Sequence, residues 1–216
     1  MLINERTFAE LVVASGNPHK LEEIRAVFDQ MDVRVLGLDA LGQPFPEPEE
    51  TAMTFSGNAR LKALAYATMT GRLCLADDSG LEVDALGGAP GVFSARFAGV
   101  DGSRSERDAA NNRLLVERLR GIPAEQRGAR FVCAMCLATP DGRVLAETRG
   151  EFAGVIVDEP RGNNGFGYDP HLYLPDERRT SAELSPDEKN ARSHRGQATR
   201  SMAARMKEQS VVQSLT

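Results

Sequence analysis

The order of elements along this chain predicts an α/β fold built on a mixed sheet. Apolar, strand-like runs alternate with helical segments through the first half of the chain. The turn Pro140-Asp141-Gly142 sits between two further apolar runs and reads as a hairpin connection. No repeat, low-complexity stretch or linker splits the 216 residues, a length that suits one substantial core. Helical crossovers join parallel strands and hairpins join antiparallel ones, so the sheet must contain both. The expected organisation is one domain spanning residues 1–216.

Each element has its own signal. Residues 10–14 (Glu-Leu-Val-Val-Ala) read as a buried strand, broken by Ser15-Gly16-Asn17-Pro18. A helix starts near His19 and carries Leu21, Ile24, Val27 and Phe28 on one face. Residues 33–36 form a second strand, and the prolines at 44, 46 and 48 make the stretch from 43 to 51 a loop. The next helix runs from Phe55 to Thr70, with Ala59, Leu61, Leu64, Ala65 and Tyr66 apolar and Gly71 as its stop. Residues 73–76 are a third strand, ended by Ser79-Gly80.

An irregular crossing, Gly87 to Gly91, leads to a helix from about Ser105 to Leu119. Strands 129–138 and 144–150 flank the hairpin turn, and Phe152 to Val157 extends the system. A glycine-rich loop from Asn163 to Pro170 precedes a short strand, His171 to Leu174. In Ser185-Pro186-Asp187-Glu188, serine is the N-cap, proline takes the first helical position and glutamate the third. That is a capping box opening the last helix.

Composition narrows the class. Apolar residues at 41% and charged residues at 26% are those of an ordinary globular protein. A net charge of −5 without a long basic block argues against nucleic acid as a partner. No stretch has the length of a membrane-spanning helix, and Asn4, Glu5, Arg6 and Glu10 leave no apolar leader in the first residues. The expected location is the cytoplasm, with no membrane partner. Cys133 and Cys136 form a CxxC inside an apolar strand, where residues three apart face opposite ways and cannot share a ligand. Core packing is the expected role of Cys74, Cys133 and Cys136.

Four segments carry chemistry. In Leu75-Ala76-Asp77-Asp78-Ser79-Gly80, a strand delivers two adjacent carboxylates that point to opposite faces, so one of them addresses a given pocket. Two such groups resist ionising together unless a cation lies close, which suits a divalent metal and a general base. Ser15, Gly16, Asn17, Pro18, His19 and Lys20 join a strand to a helix start, where free N–H groups and the helix dipole favour an anion. Lys20 stands where the dipole disfavours a cation, and a phosphate explains it better than helix stability does. Gly165-Phe166-Gly167-Tyr168-Asp169-Pro170 puts two aromatics and a carboxylate between glycines. Those aromatics offer either a flat face to a base or ordinary core. Lys189 and His194 lie about 140° apart on an unbroken helix, and a break at Ser193, a second N-cap candidate, would reorient His194 and Arg195.

These segments, in this order, resemble the inosine/xanthosine triphosphate pyrophosphatases. The resemblance runs from about Leu11 to Gln197 and rests on SGNPHKLEEI, EETAMTF, LADDSGLEVDALGGAPGVFSAR, GFGYDP and SPDEKNARSHRGQA. It implies an elongated mixed sheet with flanking helices, forming two lobes around a nucleotide cleft, and a homodimer. It implies Mg²⁺-dependent cleavage of purine nucleoside triphosphates such as dITP, ITP and XTP to the monophosphate and pyrophosphate. By position, Asp78 would activate water and bind metal, Asp77 would support it, and Glu49 or Glu50 would complete the metal site. Ser15 to Lys20, with Lys62, would hold the triphosphate, and Ser79 would touch the substrate. Phe166, Gly167, Tyr168, Asp169, Lys189, His194 and Arg195 would read the base, with His194 and Arg195 donating to a purine 6-carbonyl. Gly57 stands where the family often has an acidic residue. Competing readings are a pyrophosphatase for other modified or pyrimidine triphosphates, and a nucleotide-binding regulator without catalysis.

Overall fold

A computed structural model describes residues 9–29, 31 and 33–208; the expected absence of a leader rests largely on residues 1–8, which lie outside that range. Among the described residues seven strands form one sheet: β1 (Ala9–Val13), β2 (Val33–Gly37), β3 (Cys74–Val83), β4 (Gly128–Ala138), β5 (Val144–Ile156), β6 (Leu172–Leu174) and β7 (Arg179–Thr180), in the order β2-β1-β3-β4-β5-β6-β7. β1 is parallel to β2 and β3, and every later pair is antiparallel. The helices are α1 (Pro18–Phe28), α2 (Phe55–Thr70), α3 (Arg104–Arg118), α4 (Pro186–Arg192) and α5 (His194–Glu208). The mixed α/β sheet expected from the sequence is the observed one.

Local chemistry sets the helix ends. Asn17 accepts from the His19 N–H and Pro18 opens α1. Thr54 caps α2, which ends at Gly71 with φ of 65°, a left-handed conformation that glycine adopts without steric cost. A capping box, Ser103 with Glu106, starts α3, and the expected one, Ser185 with Glu188, starts α4. The last helix does break at Ser193, whose hydroxyl accepts from the Gly196 N–H at 3.0 Å.

Two differences from expectation matter for the site. β3 does not stop at Ser79-Gly80 but pairs with β4 as far as Val83↔Ala129. A side chain at Gly80 would meet Ser94 and the Gly91 carbonyl, so this glycine lets the 3-10 turn Gly91–Arg96 approach the strand instead of ending it. On α2 the apolar stripe runs through Phe55, Ala59, Ala63, Tyr66 and Ala67, and it turns Lys62 inward and Leu61 outward. α1 and α5 cover one face of the sheet and α2 the other. Cys133 and Cys136 fall in these two different cores, both as buried free thiols. A third core, around Leu81, Leu115, Phe131, Phe152 and Tyr168, fills the far end beneath α3.

Candidate active site

Sheet topology makes the cleft. β3 pairs with β1 only through Cys74 and Leu75, so beyond Leu75 the edge of β3 facing β1 is open. The chain leaves β1 there and turns into α1, and ligand crevices in such sheets lie outside the carboxyl ends of strands where connections diverge. A cleft of about 590 Å³ occupies the place, lined by Ser15 to Pro18, Lys20, Glu50, Lys62, Asp77 to Gly80, Phe166 to Asp169, Lys189, His194 and Arg195. Because it follows a strand edge, both Asp77 and Asp78 line it, which corrects the expectation that one would be excluded. Of the remaining expected residues, His19 stacks on Phe166 with ring centroids 5.8 Å apart, while Glu49 is exposed and does not line the cleft. In the segment from 47 to 50 it is Glu47 and Glu50 that do.

Asp77 is buried in a web of cations. Lys20 Nζ lies 2.9 Å from its carboxylate and Arg195 Nε 3.5 Å, while Arg195 also donates to Ser79 Oγ at 2.9 Å and to Glu23. Burial by itself would raise the Asp77 carboxyl, but the charges of Lys20, Arg195 and Lys62 outweigh it and hold the group well below its ordinary range. Lys20 therefore has a carboxylate partner within the protein, a reason for its position that the helix dipole did not reveal. Above Gly16, where a side chain would stand, there is open space.

Asp78 faces a different setting. Asn58 donates to it at 3.1 Å, and Lys62 Nζ bridges it at 3.4 Å to Glu50 at 2.5 Å. Burial raises the Asp78 carboxyl, and the nearby Glu50 charge adds to the rise that Lys62 only partly counters. Lys62 itself is held charged: burial works against its ammonium, but Asp78, Asp77 and Glu50 prevail. A raised carboxyl beside an open cleft is the usual preparation of a general base. A side chain at Gly57 would meet Ala52, so this turn of α2 packs closely on the segment before it.

At the other end the two loop aromatics part company. Tyr168 is buried and donates to the Ser94 carbonyl at 2.8 Å, tying the loop to the 3-10 turn. Phe166 stays in the cleft, with Arg104 4.5 Å, Lys189 5.2 Å and Arg195 5.9 Å from its ring centre. Asp169 accepts from the Phe166 N–H at 2.8 Å, from Ser181 at 2.7 Å and from Lys189 at 2.6 Å. Its oxygens hold the loop and Lys189 in place, rather than standing free for a base edge as expected. Arg195, expected as a free donor, is likewise engaged by Glu23, Ser79 and Asp77. His194 packs on Phe131, and burial, with the Arg195 and Lys189 charges, lowers its pKa far enough to keep the ring neutral. Its Nδ1 is buried without a hydrogen-bond partner among the described residues.

Sequence reasoning missed Glu23, Asn58, Arg96 and Arg104. The first could have been found from its place one turn after Lys20 on α1, and Asn58 from its place one turn before Lys62. Arg96 closes the segment LADDSGLEVDALGGAPGVFSAR, but nothing in that segment assigns it a role, and Arg104 carries no local signal; only the fold brings their turn and helix to the cleft.

Fold and cleft together define an α/β enzyme, with paired carboxylates and lysines at one end of its site and an aromatic platform at the other. The chain belongs to the Ham1 family, whose model matches residues 11–205. It is 50% identical over 196 residues to a dITP/XTP pyrophosphatase of an Exiguobacterium species, covering 90% of this chain and 95% of that one. It is 51% identical over 197 residues to a dITP/XTP pyrophosphatase of Nitratidesulfovibrio vulgaris, covering 90% and 94%. A HAM1 protein from Coxiella burnetii superposes with a TM-score of 0.82 at 40% identity, over 92% of this chain and 98% of that one.

Proposed function

We propose that this chain hydrolyses non-standard purine nucleoside triphosphates, dITP, ITP and XTP, to the monophosphate and pyrophosphate, and so clears them from the nucleotide pool. The observation that carries the reading is the two-ended cleft: Asp78 with a raised carboxyl beside Lys62 and Glu50 at one end, and Phe166 as a flat platform at the other. Relatives covering most of the chain bear the same activity in their names.

In this reading Asp78 takes a proton from the water that attacks the α-phosphorus, while Asn58 fixes the carboxylate's orientation. Lys62 and Lys20, with the open backbone at Gly16, neutralise and orient the phosphates. Asp77 keeps Lys20 and Arg195 in place. The base stacks on Phe166, and the unpartnered Nδ1 of His194 offers one polar contact to its edge. Ser79 touches the substrate through the hydroxyl that Arg195 orients.

The donor set fits Mg²⁺. Among the described residues no cluster of three or more His, Cys, Asp or Glu could hold a metal. Mg²⁺ is commonly held by one or two carboxylates together with substrate phosphates. Glu50 and Asp78, already sharing the Lys62 ammonium, are the two carboxylates that would hold it. Once bound, the ion supplies charge neutralisation at the phosphates and orientation of the attacking water.

The proposal extends to a single two-lobed domain, a homodimer and a cytoplasmic location. One continuous sheet supports the first. The second rests on the family resemblance, and sedimentation checks it. Three unpaired thiols suit a reducing compartment. The functional test compares kcat/KM for dITP, XTP, ATP and GTP by pyrophosphate release. The first two should far outrank the last two, and equal rates on dITP and ATP would overturn the reading.

A further inference from the structure

The cations in the cleft are not equivalent. Lys20, Lys62, Lys189 and Arg195 each lie within 3.5 Å of a carboxylate: 2.9 Å for Lys20–Asp77, 2.5 Å for Lys62–Glu50, 2.6 Å for Lys189–Asp169 and 3.5 Å for Arg195–Asp77. Three arginines of the cleft are held more loosely: Arg104 has Asp108 at 3.8 Å and lies over the Phe166 ring, Arg107 donates to the Gly102 carbonyl, and Arg96 leans toward the carboxylates of the phosphate end. The one ion-pair contact of Arg96 among the described residues is to Glu50 at 3.8 Å, and Lys62 already holds that carboxylate. The guanidinium lies over the Phe93 ring at 5.3 Å and is half exposed, yet it lines the cleft.

The backbone beneath Arg96 is fixed. Ser94 Oγ accepts from the Leu81 N–H at 2.9 Å and donates to the Gly91 carbonyl at 2.6 Å. The Ser94 carbonyl accepts from Tyr168 at 2.8 Å and from Asn111 at 3.2 Å, and Asn111 also bonds to Ala95 and Ala98. A rigid base carrying a loosely held guanidinium suits a group that swings from a weak internal partner to a ligand.

We propose that Arg96 is a phosphate-binding residue for the pyrophosphate end of the substrate. The assignment rests on the functional reading above and adds a residue to it. A triphosphate adds several negative charges to a cleft whose lysines are already balanced by carboxylates. A metal on Glu50 and Asp78 would take up the carboxylate that Arg96 now leans on and leave the guanidinium to the phosphates. Its planar fork matches two phosphate oxygens at once, and negative charge grows on the departing pyrophosphate as the bond to the α-phosphorus breaks.

The test measures the affinity of inorganic pyrophosphate and, separately, of inosine monophosphate by calorimetry in magnesium buffer. Wild type, Arg96→Ala, Arg96→Lys and, as a surface control, Arg143→Ala are compared. Arg96→Ala should weaken pyrophosphate binding about tenfold or more and leave the monophosphate within about twofold, as loss of a charge-assisted contact predicts. Arg96→Lys should recover part of the loss, and KM for dITP should rise in step. Unchanged pyrophosphate affinity in Arg96→Ala would overturn the assignment. So would equal weakening of both ligands, the mark of a distorted cleft. Should Arg96→Ala fail to fold, Arg96→Gln, which keeps the stem over Phe93, decides between the same outcomes. The binding arms do not depend on turnover, so they separate failure of this assignment from failure of the proposed activity.

Discussion

Asp77 and Asp78 are adjacent on one strand, line one cleft and lie under opposite electrostatic control. Asp77 is ringed by Lys20 and Arg195, and its carboxyl is pushed down. Asp78 has Lys62 shared with Glu50 and an amide from Asn58, and its carboxyl is pushed up. Pleating explains the difference, because it sends one side chain toward α1 and α5 and the other toward α2. A carboxylate saturated with cations is an anchor for those cations. One that is short of positive charge is ready to accept a proton or share a metal.

The largest effect expected from this contrast is on turnover. Asp78→Asn should lower kcat by about 10²–10⁴ while the protein stays folded, the usual scale for losing a general base. Turnover within a few-fold of wild type would erase the distinction between the two aspartates.

Stability should respond the other way round. Asp77→Asn leaves Lys20 and Arg195 short of a buried partner, and urea unfolding should show a loss of about 3–5 kcal/mol, typical of breaking a buried ion pair. Lys20→Ala should cost less, about 1–3 kcal/mol, because Arg195 still compensates Asp77. Its sign sharpens the comparison: the helix dipole alone predicts no loss or a small gain on removing Lys20, whereas the ion pair predicts a loss together with weaker triphosphate binding.

The pH dependence is the finest expected effect. Asp77 has a folded pKa below its unfolded value of about 3.9, so its stabilisation is full above that value and is lost as pH falls through the folded pKa. Asp78 has a raised folded pKa, so its favourable protonated form is lost as pH rises through that pKa. In metal-free buffer, Asp78→Asn should therefore gain stability over wild type as pH climbs from about 4 to neutrality. The deficit of Asp77→Asn should shrink as pH drops below about 4. Melting curves across that range check both, and parallel curves for the two variants would contradict the opposed shifts.

Much of this was legible in the sequence. Helix α2 could be bounded at both ends because Gly71 and the apolar period are local signals, and the break at Ser193 was visible as a second cap. Gly80 misled, since a glycine that ends a strand and one that admits a neighbouring turn look alike until the neighbour is known. The motifs gathered at one cleft as expected, but the partners of their side chains were hidden. Nothing local to Asp169 says that Ser181 and Lys189 will occupy it, and nothing local to Arg195 points back to Glu23 across the whole chain. Charge pairing across a fold is a tertiary fact, and it sets two identical neighbouring residues apart.

The most direct test is hydrolysis of dITP with magnesium in water labelled with heavy oxygen, followed by product analysis for wild type and Asp78→Asn. The account predicts dIMP and pyrophosphate in equal amounts, the label in dIMP because water attacks the α-phosphorus, and turnover lost with Asp78. Orthophosphate with dIDP, label in the pyrophosphate, or full turnover without the Asp78 carboxylate would contradict it.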